Sequence, residues 1–220
     1  MDTITQEVSF LAKGGICRVA LDILSQSMSY RVKQICDDGH LGTDQQHRFI
    51  PCDKTIEQYV KECSSNDLFF NCIGNYRVMK MRIAYSSLLR QKGCKSINIV
   101  HPDAFISDTV SMGDGNLICP KVVLNTNVSI GNDNVFFSGT IIEHDCIIGN
   151  NIYFSPSVTL CGKIVVEDNV YIGPGVVIAA GVHIGHRSII GAGSLVLKDV
   201  EEASVVYGCN NRVVRKNDLW

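Results

Sequence analysis

The sequence predicts a two-part chain, a small α/β unit followed by an all-β parallel β-helix, on three observations. From Val100 to Val196 every sixth residue is apolar without a miss, the row including Ile106, Leu124, Phe136, Ile148, Phe154, Ile172 and Ile190. A helix repeats its apolar positions near 3.6 residues and a half-buried strand near 2, so a sustained period of six is neither. It fits a coil of short strands, each sending one side chain into a shared core. The position four further on is mostly small or β-branched as well, from Ala104 and Val110 to Ser188 and Ser194. Ahead of the repeat lie roughly 95 residues that alternate strand and helix patterns, enough for a small independent domain. The sequence therefore divides into residues 1–94 and residues 95–220.

In chain order, Val8 to Ala12 is an apolar run that ends at Lys13-Gly14-Gly15, and Ile16, Val19, Ala20, Ile23 and Leu24 follow as a helical stripe. Arg31 to Cys36 is a second strand closing on Asp37-Asp38. A helix starts at Thr55, with Thr-Ile-Glu-Gln as its cap. Asp67 to Ile73 is a third strand ending at Gly74, and Val78 to Lys92 is the last helix. Alternating strands and helices imply a small parallel sheet, whose ligands bind beyond the carboxyl ends of the strands. In the repeat, Asn116 and Asn134 interrupt the small-residue row and are expected to stack inside a turn.

Composition bounds the function. A net charge of −2 and the lack of a basic run argue against a nucleic-acid partner. No stretch approaches the eighteen apolar residues that would span a bilayer, and the first residues carry no signal-peptide core. Ten cysteines are scattered without a CxxC pair or zinc-type spacing. The expectation is a soluble, cytoplasmic protein with free thiols and no metal.

Two sets of residues carry possible chemistry. At the strand ends of the first part, glycines let a phosphate approach a helix start, where unpaired N–H groups favour anions. Asp37 and Asp38, about twenty residues on, are placed to accept ribose hydroxyls. A glycine turn and a solvated acid pair account for the same residues, and both readings stand. In the second part His144 lies in Ile142-Glu143-His144-Asp145-Cys146, at an outward position. An adjacent carboxylate orients an imidazole and raises its basicity. If three hexads form one coil, residues eighteen apart stack about 4.8 Å apart, and the column reads Thr126, His144, Gly162, Ala180, Lys198. That is a groove with a base at one end and a cation at the other, open to a thioester whose carbonyl meets the Gly162 N–H. A second column, Pro156, Pro174 and Ala192, is short enough to wall such a groove between two packed prisms.

Glu143-His144-Asp145-Cys146-Ile147-Ile148-Gly149, with the hexads through Gly191-Ala192-Gly193, resembles the bacterial sugar acetyltransferases of the NeuD/PglD type. The resemblance is strong from about His101 onward and weaker before it. It implies an N-terminal Rossmann-like nucleotide-sugar domain, a left-handed β-helix, a homotrimer, and acetyl-CoA bound between neighbouring β-helices. It further implies His144 as catalytic base, Asp145 as the acid that tunes it, and Gly162 on the thioester carbonyl. Other acetyl-CoA contacts fall on Tyr153, Pro174 and Ala192, beside the Ala180 and Lys198 of the column. Nucleotide-sugar contacts fall on Gly14, Gly15, Ile16, Asp37, Asp38 and Gly74. The chain departs from the family pattern in its first turn, Ala12-Lys13-Gly14-Gly15-Ile16, where a leading glycine and a histidine are usual. Tyr153 replaces a histidine, Phe137 an asparagine, and Gly208-Cys209-Asn210-Asn211 a Gly-x-Pro-Ala tail.

The expected activity is acetyl transfer to the amino group of a nucleotide-linked sugar for bacterial surface glycans. The alternatives are transfer to a sugar hydroxyl, a metal-dependent hydratase built on several convergent histidines, and a non-catalytic sugar-nucleotide-binding protein. His183 and His186 do not share a column with His144, which weighs against the hydratase.

Overall fold

The computed structural model describes residues 6–26, 30–39, 50–74, 76–208 and 212–217. It separates into two compact units, Met1–Pro102 and Asp103–Trp220.

Among the described residues the first unit is a four-stranded parallel sheet with three α-helices. Its strands are β1 (Gln6–Leu11), β2 (Tyr30–Cys36), β3 (Leu68–Asn71) and β4 (Lys95–Ser96), in the order β2-β1-β3-β4. The last of these places residues 95 and 96 in the first sheet. Val8, Ser9, Phe10 and Leu11 are all buried, as expected when helices cover both faces of a parallel sheet. Helix α1 (Gly15–Ser25) buries Ile16, Cys17, Ala20, Leu21, Ile23 and Leu24, the stripe legible in the sequence. Helix α2 (Ile56–Glu62) opens on a reciprocal capping box, Thr55 accepting from the Gln58 N–H and Gln58 from the Thr55 N–H. Helix α3 (Met79–Gln91) packs Leu89 with Leu11, Phe69, Ile56 and Tyr59 in one apolar cluster. The buried Arg82 of α3 donates to the carbonyls of Asn71 (2.6 Å) and Ile73 (2.8 Å), which fixes the carboxyl end of β3.

The second unit is a left-handed parallel β-helix of two-residue strands. Its register is eighteen residues per coil: Ile130 pairs with Ile148 and Ile148 with Val166. One sheet runs from Ser111–Met112 to His183–Ile184, the next from Phe105–Ile106 to Leu195–Val196, and the third carries Leu117–Ile118 through Ser204–Tyr207. From Ile118 on, the sixth-residue row forms the core, with Phe136 and Phe154 stacked at 4.7 Å, whereas the first of the row, Val100, Ile106 and Met112, stay partly exposed. Corners turn through a residue of positive φ, among them Asn127, Asp145, Lys163 and Gly181, the region that Asn, Asp and Gly enter most readily. Asn116 and Asn134 are buried and ladder as expected: Asn134 N–H donates to Asn116 Oδ1, and Ile152 N–H to Asn134 Oδ1.

The regular coil ends after Val196. Ile184 bridges to Val200, and Ile189–Ile190 pair with Val205–Val206, sixteen residues on. Ser204–Tyr207 then receives an antiparallel strand, Arg212–Lys216, the one direction reversal among the described strands.

Candidate active site

The corner that carries His144 is built by backbone stacking. Asp145 N–H donates to Thr126 O, Lys163 N–H to His144 O, and Gly181 N–H to Gly162 O, each close to 3 Å. Thr126, His144, Gly162 and Ala180 therefore stand in one column. Lys198 follows Val196 at the same step as Ala180 follows Ile178, but it sits where the regular coil gives way, and the Asp199 carboxylate accepts the His183 N–H there.

The His144 side chain is half exposed, and its Nδ1 lies 2.8 Å from Asp145 Oδ2. Asp145 is held in turn by Asn127, whose amide donates to Oδ1 at 3.2 Å. These two bonds, His144 first and Asn127 second, keep the Asp145 carboxyl below its ordinary range. A carboxylate on Nδ1 fixes that nitrogen as the protonated one and leaves Nε2 as the free base. Glu143, the other neighbouring acid, instead accepts from Asn125 at 3.0 Å. Asn127 and Asn125 escaped attention in the sequence, yet each stands eighteen residues before the acid it holds, so the column arithmetic reaches them.

Gly162 is fitted to the histidine. A Cβ built there would come within 2.6 Å of both His144 Cε1 and Nε2. Its backbone does not take the positive φ that would itself demand glycine, so the imbalance is steric: the imidazole occupies the space of a side chain. The Gly162 N–H makes no hydrogen bond among the described residues.

The other expected contacts lie elsewhere on the prism. Pro174 and Ala192 share a different corner, stacked through Gly175 N–H to Pro156 O (3.0 Å) and Gly193 N–H to Pro174 O (2.8 Å). Tyr153 sits on the sheet leading to that corner, stacked on Tyr171 at 5.2 Å and tilted against Phe137 at 5.2 Å. One chain thus does not gather Tyr153, Pro174 and Ala192 around His144. His183 and His186 are engaged apart from both, on the two oxygens of Glu167, with His186 also on Glu202 at 3.0 Å. The His186 backbone N–H, donating at 2.8 Å, is the leading cause of a lowered Glu167 carboxyl.

In the first unit, Gly14 caps α1, Gly15 opens it, and neither has any atom within 4 Å of a built Cβ. Space is therefore open over the helix start. Gly74 is different: a Cβ there would strike Ile16 Cδ1 at 2.6 Å, so its glycine lets the end of β3 approach α1. The acids already hold backbone. Asp37 accepts the Lys13 N–H (2.8 Å) and Gly39 N–H (2.9 Å), and Asp38 accepts the Ile56 N–H at the start of α2 (2.8 Å). Ala12 adopts φ +71, a left-handed conformation that is unfavourable once a Cβ is present.

Residues 163–198 match the bacterial transferase hexapeptide family, six repeats. The match covers part of the β-helix of the second unit. Among curated proteins, none matches the chain in sequence. In structure the whole chain is similar to PerB from Caulobacter crescentus, solved in complex with CoA and GDP-perosamine, at 24% identity and a TM-score of 0.81, covering 96% of this chain and 98% of that one. It is similar to the acetyltransferase domain of PglB from Neisseria gonorrhoeae, solved in complex with acetyl coenzyme A, at 20% identity and 0.84, covering 93% and 97%. It is also similar to WeeI from Acinetobacter baumannii, at 25% identity and 0.83, covering 96% and 100%. An α/β unit joined to a hexapeptide-repeat β-helix is the arrangement these likenesses share with it.

Proposed function

We propose that the chain is an acetyl-CoA-dependent acetyltransferase acting on the amino group of a nucleotide-linked amino sugar, for the synthesis of bacterial surface glycans. The observation that carries this reading is the His144–Asp145 pair seated over Gly162. It is supported by the ligands of PerB and PglB, a nucleotide-linked sugar with CoA in one and acetyl-CoA in the other.

The chemistry follows from the geometry. The acceptor nitrogen attacks the thioester carbonyl; a C–N bond forms, the C–S bond breaks, and the nitrogen must shed a proton. His144 Nε2 takes that proton, Asp145 stabilises the imidazolium through Nδ1–H, and the imidazolium returns the proton to the departing CoA thiolate, which leaves as the thiol. The Gly162 N–H receives the charge developing on the carbonyl oxygen. The thioester carbonyl meets the Gly162 N–H beside the imidazole, with Ala180 and Lys198 continuing the groove. Gly14, Gly15, Ile16, Asp37, Asp38 and Gly74 take the nucleotide end of the acceptor.

The test is release of free CoA thiol from acetyl-CoA in the presence of UDP-, dTDP-, GDP- and CMP-linked amino sugars. A base-stable amide product supports amine transfer. A base-labile ester would move the assignment to a hydroxyl acceptor, and no thiol release with any sugar would overturn it.

Acetyl-CoA on this corner would need a second wall, so we infer a homotrimer whose neighbouring prisms supply the Tyr153, Pro174 and Ala192 wall. An apolar outward row supports it: Phe105, Val177 and Leu195 lie on one sheet, 57%, 38% and 36% exposed, with Leu197 alongside. Monomers seldom leave such a surface uncovered. Light scattering is expected to give three times the chain mass, and a monomer at micromolar concentration would refute the shared groove.

A leucine at Gly15 meets no neighbouring atom at its Cβ, so Gly15→Leu should fold and yet fill the room above the helix start. Its acceptor affinity should fall about tenfold or more, roughly 1.4 kcal/mol, with acetyl-CoA affinity unchanged. Equal weakening of both ligands, measured by calorimetry, would contradict the two-site division.

A further inference from the structure

Asp145 belongs to a column of its own, beside that of His144. Asn127, Asp145, Lys163 and Gly181 stand eighteen residues apart, each at positive φ. Lysine and glycine make the same turn two and three coils on, so the turn itself does not call for an amide at position 127. Asn127 nevertheless directs its side chain along the column and donates to Asp145 Oδ1 at 3.2 Å, while His144 Nδ1 lies on Oδ2 at 2.8 Å. A carboxylate only accepts, so the amide must present its nitrogen there. Each oxygen of Asp145 thus has its own neighbour.

Asn127 is seated in turn from the preceding coil. Its backbone N–H donates to Thr109 Oγ1 at 2.9 Å. That hydroxyl lies 3.0 Å from both Ser107 Oγ and Thr126 Oγ1, and Thr126 begins the His144 column. Three successive coils, carrying Thr109, Asn127 and Asp145, are therefore tied through side chains as well as backbone, up to the imidazole. On the other side of Asp145 the column continues with Lys163, whose charge also attracts the carboxylate. With no bond on Oδ1, the carboxylate is free to rotate toward that ammonium and off Nδ1. An imidazole that loses its partner on Nδ1 can carry its proton on either nitrogen, and a protonated Nε2 cannot take one from an acceptor.

We propose that Asn127, seated by Thr109, is a positioning residue for the reaction: its amide holds the Asp145 carboxylate on His144 Nδ1 and so keeps Nε2 unprotonated for the acceptor. This role presumes the acetyl transfer proposed above, and Asn127 acts in it through Asp145 alone.

The test compares Asn127→Gly and Thr109→Val with Asp145→Asn in the full chain. Glycine keeps the turn, as Gly181 does, and valine keeps the shape of threonine without its acceptor, so both variants should melt near the unaltered protein. Nitrogen-15 NMR of histidine-labelled protein reads the tautomer without any substrate, above about pH 8 where an ordinary imidazole is neutral. The His144 signals are assigned from His144→Ala. The unaltered protein is expected to hold the Nδ1–H form at His144, and Asn127→Gly to show both forms. In steady-state assays Asn127→Gly should lower kcat about tenfold, the scale of one hydrogen bond to a charged group, with KM for acetyl-CoA unchanged. Thr109→Val should lower it less. Combined with Asp145→Asn, the Asn127→Gly change should add no further loss, because the carboxylate it acts through is already gone. A tautomer unchanged in Asn127→Gly, or losses that multiply in the double variant, would overturn the role of Asn127. A tautomer that shifts as expected in a protein that transfers no acetyl group would uphold the hold of Asn127 on the pair and overturn the acetyltransferase reading instead.

Discussion

Replacing His144 by alanine is expected to slow acetyl transfer by about 10²–10⁴-fold, the usual contribution of a general base, while acetyl-CoA still binds. The reasoning runs through the proton. An amine acceptor gains a proton's worth of charge as it attacks, and the histidine held by Asp145 at 2.8 Å is the base, its Nε2 against Gly162. The imidazole is half exposed and makes no part of the core, so its removal should leave the melting temperature nearly unchanged. Steady-state rates with the true acceptor, together with calorimetry for acetyl-CoA, check both halves. Turnover near that of the unaltered protein would end the mechanism.

Gly162→Ala should be nearly as damaging, for a steric reason. The added methyl would lie 2.6 Å from two atoms of the His144 ring, far inside van der Waals contact, and the ring must swing away. Displacing a catalytic group by about 1 Å can cost roughly 10²-fold, so a loss of at least that order is expected. The corner itself accepts a methyl, because the same position one coil further on is Ala180. The variant should therefore fold, and its loss should not add to that of His144→Ala, since both remove the same base. Fully additive losses in the double variant would mean that Gly162 acts independently of the histidine.

Much of this was legible in the sequence, because a β-helix converts spacing directly into position. Counting by eighteen puts His144 over Gly162 and Pro174 over Pro156 without any knowledge of side-chain packing, and the ladder of Asn116 and Asn134 followed likewise. The helix starting at Thr55 was readable from local hydrogen-bond chemistry, which needs only four residues. What spacing cannot supply is a distance. Gly162 reads equally well as a tight corner until the imidazole is seen in the place of its Cβ. The acids at the end of β2 posed the same difficulty. Asp37 and Asp38 have the composition of a ribose site, yet their partners, the Lys13 and Ile56 amides, are set by how three separate elements meet. Lys198 was placed by a period that the chain abandons two residues later, at the bridge from Ile184 to Val200.

A stack whose coils hydrogen-bond only to the coils above and below has no natural length. Its terminal rungs are unpaired parallel edges, ready to accept another molecule's first coil and so to grow into a fibre. The strand Arg212–Lys216 runs against that possibility. Laid antiparallel on Ser204–Tyr207, it turns one of the three rims into an edge of the wrong direction for the next coil, and it faces outward with the exposed charges of Arg215 and Lys216. The rims of the other two sheets are covered as well, Ile184 by its bridge to Val200 and Leu195 by its N–H donating to Gly208 O at 3.1 Å. A second molecule arriving end-on finds no regular coil edge to extend at this end of the prism.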